Sequence, residues 1–138
     1  MSKKSTVARL ILVGILLYFF NDKIYGFLVR PSFELSANPG SIILNKNKGS
    51  TNSTIVSILS INGYNGKLSI AAHLTGVIII GDIHLIYPSE VALEANQQVS
   101  FELTFRAVSI TPGTYYADIV ASDGQLESSE RIAITVPQ

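Results

Sequence analysis

The chain has 138 residues, no net charge at pH 7, only 14% charged residues and no cysteine, which excludes disulfides, thiolate catalysis and cysteine-based metal sites. The charge is unevenly divided, because residues 1–30 carry five basic side chains and one acidic side chain (net +4), whereas residues 31–138 carry five basic and nine acidic (net −4). An acidic domain of this kind is a poor nucleic-acid binder, since phosphate contacts need clustered lysine and arginine.

The first predicted element is a membrane-anchor helix within residues 1–30. Residues 10–20 are uncharged and include Leu10, Leu16 and Phe20, which are the predicted membrane-anchor residues. As a helix this run covers only about 16 Å, roughly half of the hydrocarbon core of a bilayer. The anchor must therefore extend beyond this run on both sides.

An extension over residues 7–29 gives about 34 Å, which is enough to span. It places Asp22 and Lys23 toward the outer third of the bilayer, where a lysine can reach the headgroups and a carboxylate is less costly than at the centre. The basic residues at the start favour a cytoplasmic N-terminus. The domain formed by residues 31–138 is then extracytoplasmic, with membrane lipid as one partner.

Two alternatives to the uncleaved anchor remain open. A cleaved signal peptide has a similar basic start and apolar run, but the expected small-x-small cleavage site is missing after Phe20. A type IV pilin helix also joins an apolar N-terminus to a β-sandwich. Here the order Ala8-Arg9 reverses the usual processing site, and Pro31 ends the helix early.

Beyond Pro31 the sequence predicts short strands that recur about every ten residues, as in all-β sandwiches. The predicted strands cover residues 32–36, 42–44, 54–61, 67–74, 77–80, 83–87, 99–106 and 114–121, with a final strand that ends at residue 136. Pro39-Gly40, Asn62-Gly63 and Asp123-Gly124 are turn signals between them. No segment shows sustained helical periodicity, so no helix is expected in this part.

The clearest strand covers residues 99–106. Val99, Phe101, Leu103 and Phe105 alternate strictly with polar residues, which indicates an antiparallel sheet with one buried face and one wet face.

Four segments together resemble an immunoglobulin- or fibronectin-III-like repeat of archaeal and bacterial surface proteins: residues 33–39, 60–70, 112–115 and 132–136. The resemblance covers about residues 32–136 and implies an immunoglobulin-like antiparallel β-sandwich of about seven to nine strands, which would follow the single transmembrane helix predicted above. It also implies adhesion or scaffolding and no catalysis. The isoleucine-rich, cysteine-free composition favours an archaeal source. Compared with such repeats, the chain has additional residues around 78–84, which predict an edge strand or a binding loop.

Few residues stand out as candidate sites. Tyr115 follows Pro112-Gly113-Thr114 and occupies the position of a tyrosine corner, and Tyr116 should then point outward and offer a contact surface. The apolar triplet Ile78, Ile79 and Ile80 is the other predicted interaction surface, because exposed apolar residues often mark partner contacts.

The remaining polar residues do not combine into a motif. Asn52-Ser53-Thr54 is a glycosylation sequon, so Asn52 is a candidate glycan site. His73 and His84 have no further ligand at a metal-site spacing. The carboxylates are dispersed and lack the arrangement of an acid/base pair. We therefore expect no catalytic residue, no metal and no cofactor.

The sequence thus predicts a non-enzymatic, membrane-anchored accessory subunit of an envelope assembly, such as a filament base, an S-layer, a virion coat or a membrane enzyme complex. Its partners would be other protein subunits, including copies of itself. An alternative is a filament subunit that polymerises by strand donation, and a carbohydrate-binding module or small hydrolase is a further one.

Overall fold

The computed structural model describes residues 30–76 and 82–138. The chain divides into two compact units, Met1–Pro31 and Ser32–Gln138, and nearly all of the described residues belong to the second. In the described part of the chain no helix is long and apolar enough to cross a membrane. Some of the predicted sites lie outside these residues: Leu10, Leu16, Phe20, Ile78, Ile79 and Ile80.

The described residues of the second unit form strands and the loops that connect them. The strands are β1 (Ser32–Asn38), β2 (Ser41–Ile43), β3 (Thr51–Ile61), β4 (Gly66–Gly76), β5 (Asp82–Ile86), β6 (Glu90–Leu93), β7 (Gln98–Ser109), β8 (Gly113–Ser122) and β9 (Glu127–Val136). A four-stranded sheet has the order β1-β3-β7-β5, and a five-stranded sheet has the order β2-β9-β8-β4-β6. The predicted all-β sandwich is confirmed, within the predicted range of strand number.

The turn at Pro39-Gly40 moves the chain from one sheet to the other. β1 pairs antiparallel with β3, whereas β2 pairs parallel with β9 in the opposite sheet. The crossing is held by the buried Thr54 hydroxyl, which donates to the Pro39 carbonyl at 2.5 Å, and by the Ala133 amide, which donates to the Gly40 carbonyl at 3.1 Å. Two consecutive strands thereby lie at the edges of different sheets: β1 at the edge of the four-stranded sheet and β2 at the edge of the five-stranded sheet.

The core lies between the inner faces of the two sheets. In β7 the predicted alternation holds, since Phe101, Leu103 and Phe105 are buried and the polar residues between them face outward. β9 contributes Ile132 and Ile134, both fully buried. Each fully buried aliphatic or aromatic side chain contributes about 1.5–3 kcal/mol, so this alternation stabilises a domain that contains no disulfide.

The structure departs from the sequence prediction at two strands. β6 (Glu90–Leu93) is not among the predicted strands, because four residues with one buried leucine give too little alternation to recognise. β3 begins at Thr51, three residues before its predicted start, because pairing with β7 extends as far as Thr51 and Arg106. The predicted additional residues, 78–84, overlap the start of β5, which is an edge strand beside β7; the strand predicted at residues 77–80 lies outside the described residues.

The tyrosine corner predicted at Tyr115 is present. The buried Tyr115 side chain donates its hydroxyl hydrogen to the Thr111 carbonyl at 2.5 Å. This hydrogen bond connects the turn between β7 and β8 to the start of β8 and stabilises the turn. Gly113 opens that strand with φ of 154°, in a region that side chains rarely adopt.

Replacing Tyr115 with phenylalanine should lower the free energy of unfolding of the fragment 31–138 by about 1–2 kcal/mol, since the ring stays and one buried hydrogen bond is lost. Urea unfolding followed by circular dichroism measures this. The neighbouring Tyr116→Phe is the matched control, expected to change stability by less than about 0.5 kcal/mol. Equal losses in both variants would contradict a special role for the Tyr115 hydroxyl.

A second tyrosine joins two loops at the opposite end of the sandwich. Tyr64 is buried, packs edge-on against Phe33 with ring centroids 4.9 Å apart, and donates its hydroxyl to Asp123 Oδ2 at 2.7 Å. Burial, with the bond to Asp123, raises the pKa of Tyr64 to about 12. Hydrogen bonds from the Leu126 amide and from Tyr64 lower the pKa of Asp123.

These two shifts predict how stability depends on pH. Because the folded pKa of Tyr64 lies above the unfolded value of about 10, its contribution is complete below pH 10 and is lost as the pH rises toward 12. Asp123 behaves oppositely: its contribution is complete above its unfolded pKa and is lost in acid. Tyr64→Phe should therefore remove part of the alkaline loss of stability, measured as urea midpoints from pH 7 to 11.5. If the urea midpoints of the wild type and of Tyr64→Phe fall in parallel between pH 7 and 11.5, the role of this hydroxyl is contradicted.

Candidate protein interaction surface

The central strand β3 presents an uncharged outer face. Its inward residues include Val56 and Ile58, so the alternation of a strand turns Ile55, Ser57 and Leu59 outward. Ile55 is 43% exposed and Leu59 is 46% exposed. Large aliphatic side chains thus lie in water at the middle of the four-stranded sheet.

A row of serine side chains crosses the sheet between these two aliphatic residues. Ser36 on β1 and Ser100 on β7 flank Ser57 in register, and the hydroxyls of Ser57 and Ser100 lie 2.9 Å apart. A shallow depression of about 260 Å³ is lined by Glu34, Ser36, Ser57, Leu59 and Gln98. Such a depression is large enough to receive a side chain from a partner.

We call Ser36, Ile55, Ser57, Leu59 and Ser100 the docking face. The docking face combines aliphatic and hydroxyl side chains and has no charged member. This composition suits protein contact, because the centres of protein interfaces are depleted in charged residues. Two carboxylates stand directly beside its aliphatic residues: Glu34 on β1 is the register partner of Leu59, and Glu102 on β7 is the register partner of Ile55. Glu102 also accepts a hydrogen bond from the Thr104 hydroxyl at 3.0 Å.

The outer face of the five-stranded sheet is different, because its centre is an ion pair. Arg131 donates to both carboxylate oxygens of Asp118, at 2.8 and 3.1 Å, and these bonds hold the pKa of Asp118 below its ordinary value. The guanidinium also lies 5.2 Å from the centre of the Tyr116 ring. Tyr116 does face outward, but Arg131 covers it and leaves it half-buried.

The two histidines lie on different sheets. His73 is an outward residue of β4, opposite Asp118 in register, and His84 is an outward residue of β5, opposite Arg106. They therefore face opposite sides of the sandwich. Across residues 30–76 and 82–138, no three histidine or carboxylate side chains are grouped as a metal site would require.

Asn52, the candidate glycan site, is an exposed residue within β3. Its side-chain amide nitrogen donates to the Ile43 carbonyl at 2.8 Å, and its Oδ1 accepts from the Ser53 amide at 2.8 Å. The third sequon residue, Thr54, is buried. A glycan would be attached to the side-chain amide nitrogen of Asn52, which keeps one N–H after the linkage, and glycosylation of Asn52 stays a prediction.

Sequence reasoning missed the docking face, although a signal was present. Once Val56 and Ile58 are assigned to the core, period two places Ile55 and Leu59 outside. An isolated exposed aliphatic residue is ordinary on a protein surface. The register that brings Ser36, Ser57 and Ser100 together was not visible in the sequence.

The sequence matches no protein-family model and no curated protein. Among solved structures, a FixG-related protein from Vibrio parahaemolyticus resembles the fold with a TM-score of 0.56 and 7% identity, covering 77% of this chain and 97% of that chain. A family 123 glycoside hydrolase from Clostridium perfringens matches with a TM-score of 0.54 and 9% identity, over 76% of this chain and 27% of that chain. A β-glucosidase from Listeria innocua matches with a TM-score of 0.51 and 17% identity, over 79% of this chain and 16% of that chain.

At these identities the likeness shows the fold alone. The same two-sheet sandwich forms nearly the whole of one matching chain and a small part of two much larger enzymes. A fold shared so widely does not by itself assign an activity. Function must therefore be argued from the surfaces of this chain.

Proposed function

We propose that this chain is a non-enzymatic, membrane-anchored accessory subunit of a cell-envelope or membrane assembly. Its immunoglobulin-like sandwich, of the type found as repeats in surface proteins, binds another protein subunit through the docking face. The N-terminal segment holds the sandwich at the outer surface of the membrane. The observation that carries the proposal is the uncharged outer face of β3, with Ile55 and Leu59 exposed.

Two properties of the docking face support protein contact over ligand chemistry. Its aliphatic side chains gain free energy when a partner covers them, at about 25 cal/mol per Å². Its serine hydroxyls can exchange water for a partner's polar groups without leaving a charge buried. A flat sheet face of this kind suits another folded surface better than a small molecule, which needs a concave pocket.

The alternative of strand donation has less support. The described strands already supply both sheets, and Leu103, Ile119 and Ile132 are fully buried by neighbours from the same chain. A subunit that awaits a donated strand should expose part of its core along a groove. The carbohydrate alternative has no observation in its favour beyond the shared fold.

Membrane attachment is testable by fractionation. The full chain should remain with membranes after alkaline carbonate extraction, because an apolar helix leaves the bilayer only in detergent. The fragment 31–138 should be released. N-terminal sequencing of the membrane-bound protein should read from the start of the chain, whereas a mature protein that begins after Phe20 would contradict the anchor and favour a cleaved signal peptide.

Partner binding is testable by substitution on the docking face. Ile55→Lys and Leu59→Lys should abolish co-purification of the partner in mild detergent, because each replaces an aliphatic side chain with a charge that must lose its water inside the contact. The thermal unfolding temperature should change little, since both side chains are exposed.

Ile43→Lys is the matched control, because Ile43 is 66% exposed but lies on β2 of the other sheet. It should retain the partner. Loss of the partner in Ile43→Lys, or retention in both docking-face variants, would overturn the assignment of this face.

A further inference from the structure

A basic groove lies beyond the docking face, at the end of the sandwich opposite Tyr64. The groove has a volume of about 280 Å³ and is lined by Lys48, Gly49, His84, Arg106, Ala107 and Val108. Three of these residues carry basic side chains, and each comes from a different element: the β2–β3 loop, β5 and β7. His84 and Arg106 are direct register partners.

The loop that carries Lys48 is held against β7 by its backbone. The Gly49 amide donates to the Ala107 carbonyl, and the Ala107 amide donates to the Ser50 carbonyl, both at 2.8 Å. The Asn47 amide donates to Asn45 Oδ1 at 3.0 Å, which tightens the turn before it. These bonds continue the β3–β7 pairing past Arg106, so the backbone at Lys48 is positioned beside the groove.

The groove is positive in a domain that is otherwise acidic. Two basic side chains elsewhere in the sandwich have carboxylate partners, since Lys67 lies 3.8 Å from Glu90 and Arg131 lies 2.8 Å from Asp118. Within the described residues, neither Lys48 nor Arg106 forms an ion pair with a carboxylate.

Carboxylates also occur on the two strands that form the groove. On β7, Glu102 lies four residues before Arg106 and accepts from Thr104. On β5, Asp82 precedes His84 by two residues. The groove nevertheless gathers basic residues from three elements, and like charges held together favour an anion between them.

We propose that this groove binds a phosphate or sulfate group carried by an organic molecule. Arg106 offers the planar fork that matches an oxyanion, Lys48 adds a point charge, and His84 adds a ring N–H donor. Val108, which is 39% exposed, provides an apolar wall for the carbon skeleton next to the anion. The volume accommodates the anion together with a group about the size of a sugar.

Calorimetric titration of the full chain in an uncharged detergent tests this proposal, with inorganic phosphate, sulfate and glycerol 3-phosphate as the probes. Arg106→Gln should weaken binding about tenfold, because a charge-assisted fork is lost. Lys48→Gln and His84→Asn should each weaken it less, and added salt should weaken it throughout. Lys67→Gln removes an exposed lysine outside the groove and should leave the affinity unchanged.

The probes also distinguish the source of the anion. Tighter binding of glycerol 3-phosphate than of inorganic phosphate, with the difference removed by Val108→Ser, supports an ester of a larger molecule. Equal binding of the two phosphates would overturn the assignment of an organic ligand. Failure of the wild-type chain to bind any probe, or equal weakening by Lys67→Gln and Arg106→Gln, would overturn the site itself.

Discussion

Burial of one face of every long strand between the two sheets is the interaction on which the rest of this structure depends. With no cysteine in the chain, no disulfide supplements it. Leu103, Ile119, Ile132 and Ile134 are fully buried at the centre, and each of their neighbours along the strand must then face outward. The core thereby determines which side chains are available for function.

This constraint produces two unlike outer faces. On the five-stranded sheet, Asp118 and Arg131 form an ion pair, and the Arg131 guanidinium covers the Tyr116 ring. The centre of this face is therefore polar, and its two charges are paired with each other. On the four-stranded sheet, Ile55 and Leu59 stay exposed on either side of a row of serines. Partner binding is assigned to the four-stranded side because Ile55 and Leu59 lie together on an inner strand there, whereas among the described residues the other sheet exposes only one large apolar side chain, that of Ile43, on its edge strand β2.

Much of the fold could be predicted from the sequence, because the residues of some elements determine their structure locally. Other elements depend on pairing with distant strands and were not predicted. The alternation in β7 is dictated by its own residues, and Tyr115 is marked by the turn that precedes it, so both were visible locally. β6 was not, because its four residues owe their strand conformation to pairing with β4. The buried role of Tyr64 was not visible either, since its bond to Asp123 joins positions that are distant in sequence.

The candidate surfaces were less predictable than the fold, because each depends on register. The basic groove needs Lys48, His84 and Arg106 to meet, and these residues are brought together by the β5–β7 pairing and by the loop bonds to Ala107. The predicted contact at Ile78, Ile79 and Ile80 lies outside the described residues and remains a prediction. The predicted contact at Tyr116 also stays a prediction, with Arg131 now known to cover the ring.

The most direct test of the account is calorimetry of the fragment 31–138. If the chain's own strands complete the sandwich, the fragment should be monomeric and unfold in one transition, with equal calorimetric and van 't Hoff enthalpies. The enthalpy should be about 60–80 kcal/mol, as for other domains of roughly 100 residues. A fragment that lacks a cooperative transition as a monomer, and gains one only when it self-associates, would contradict a self-sufficient core.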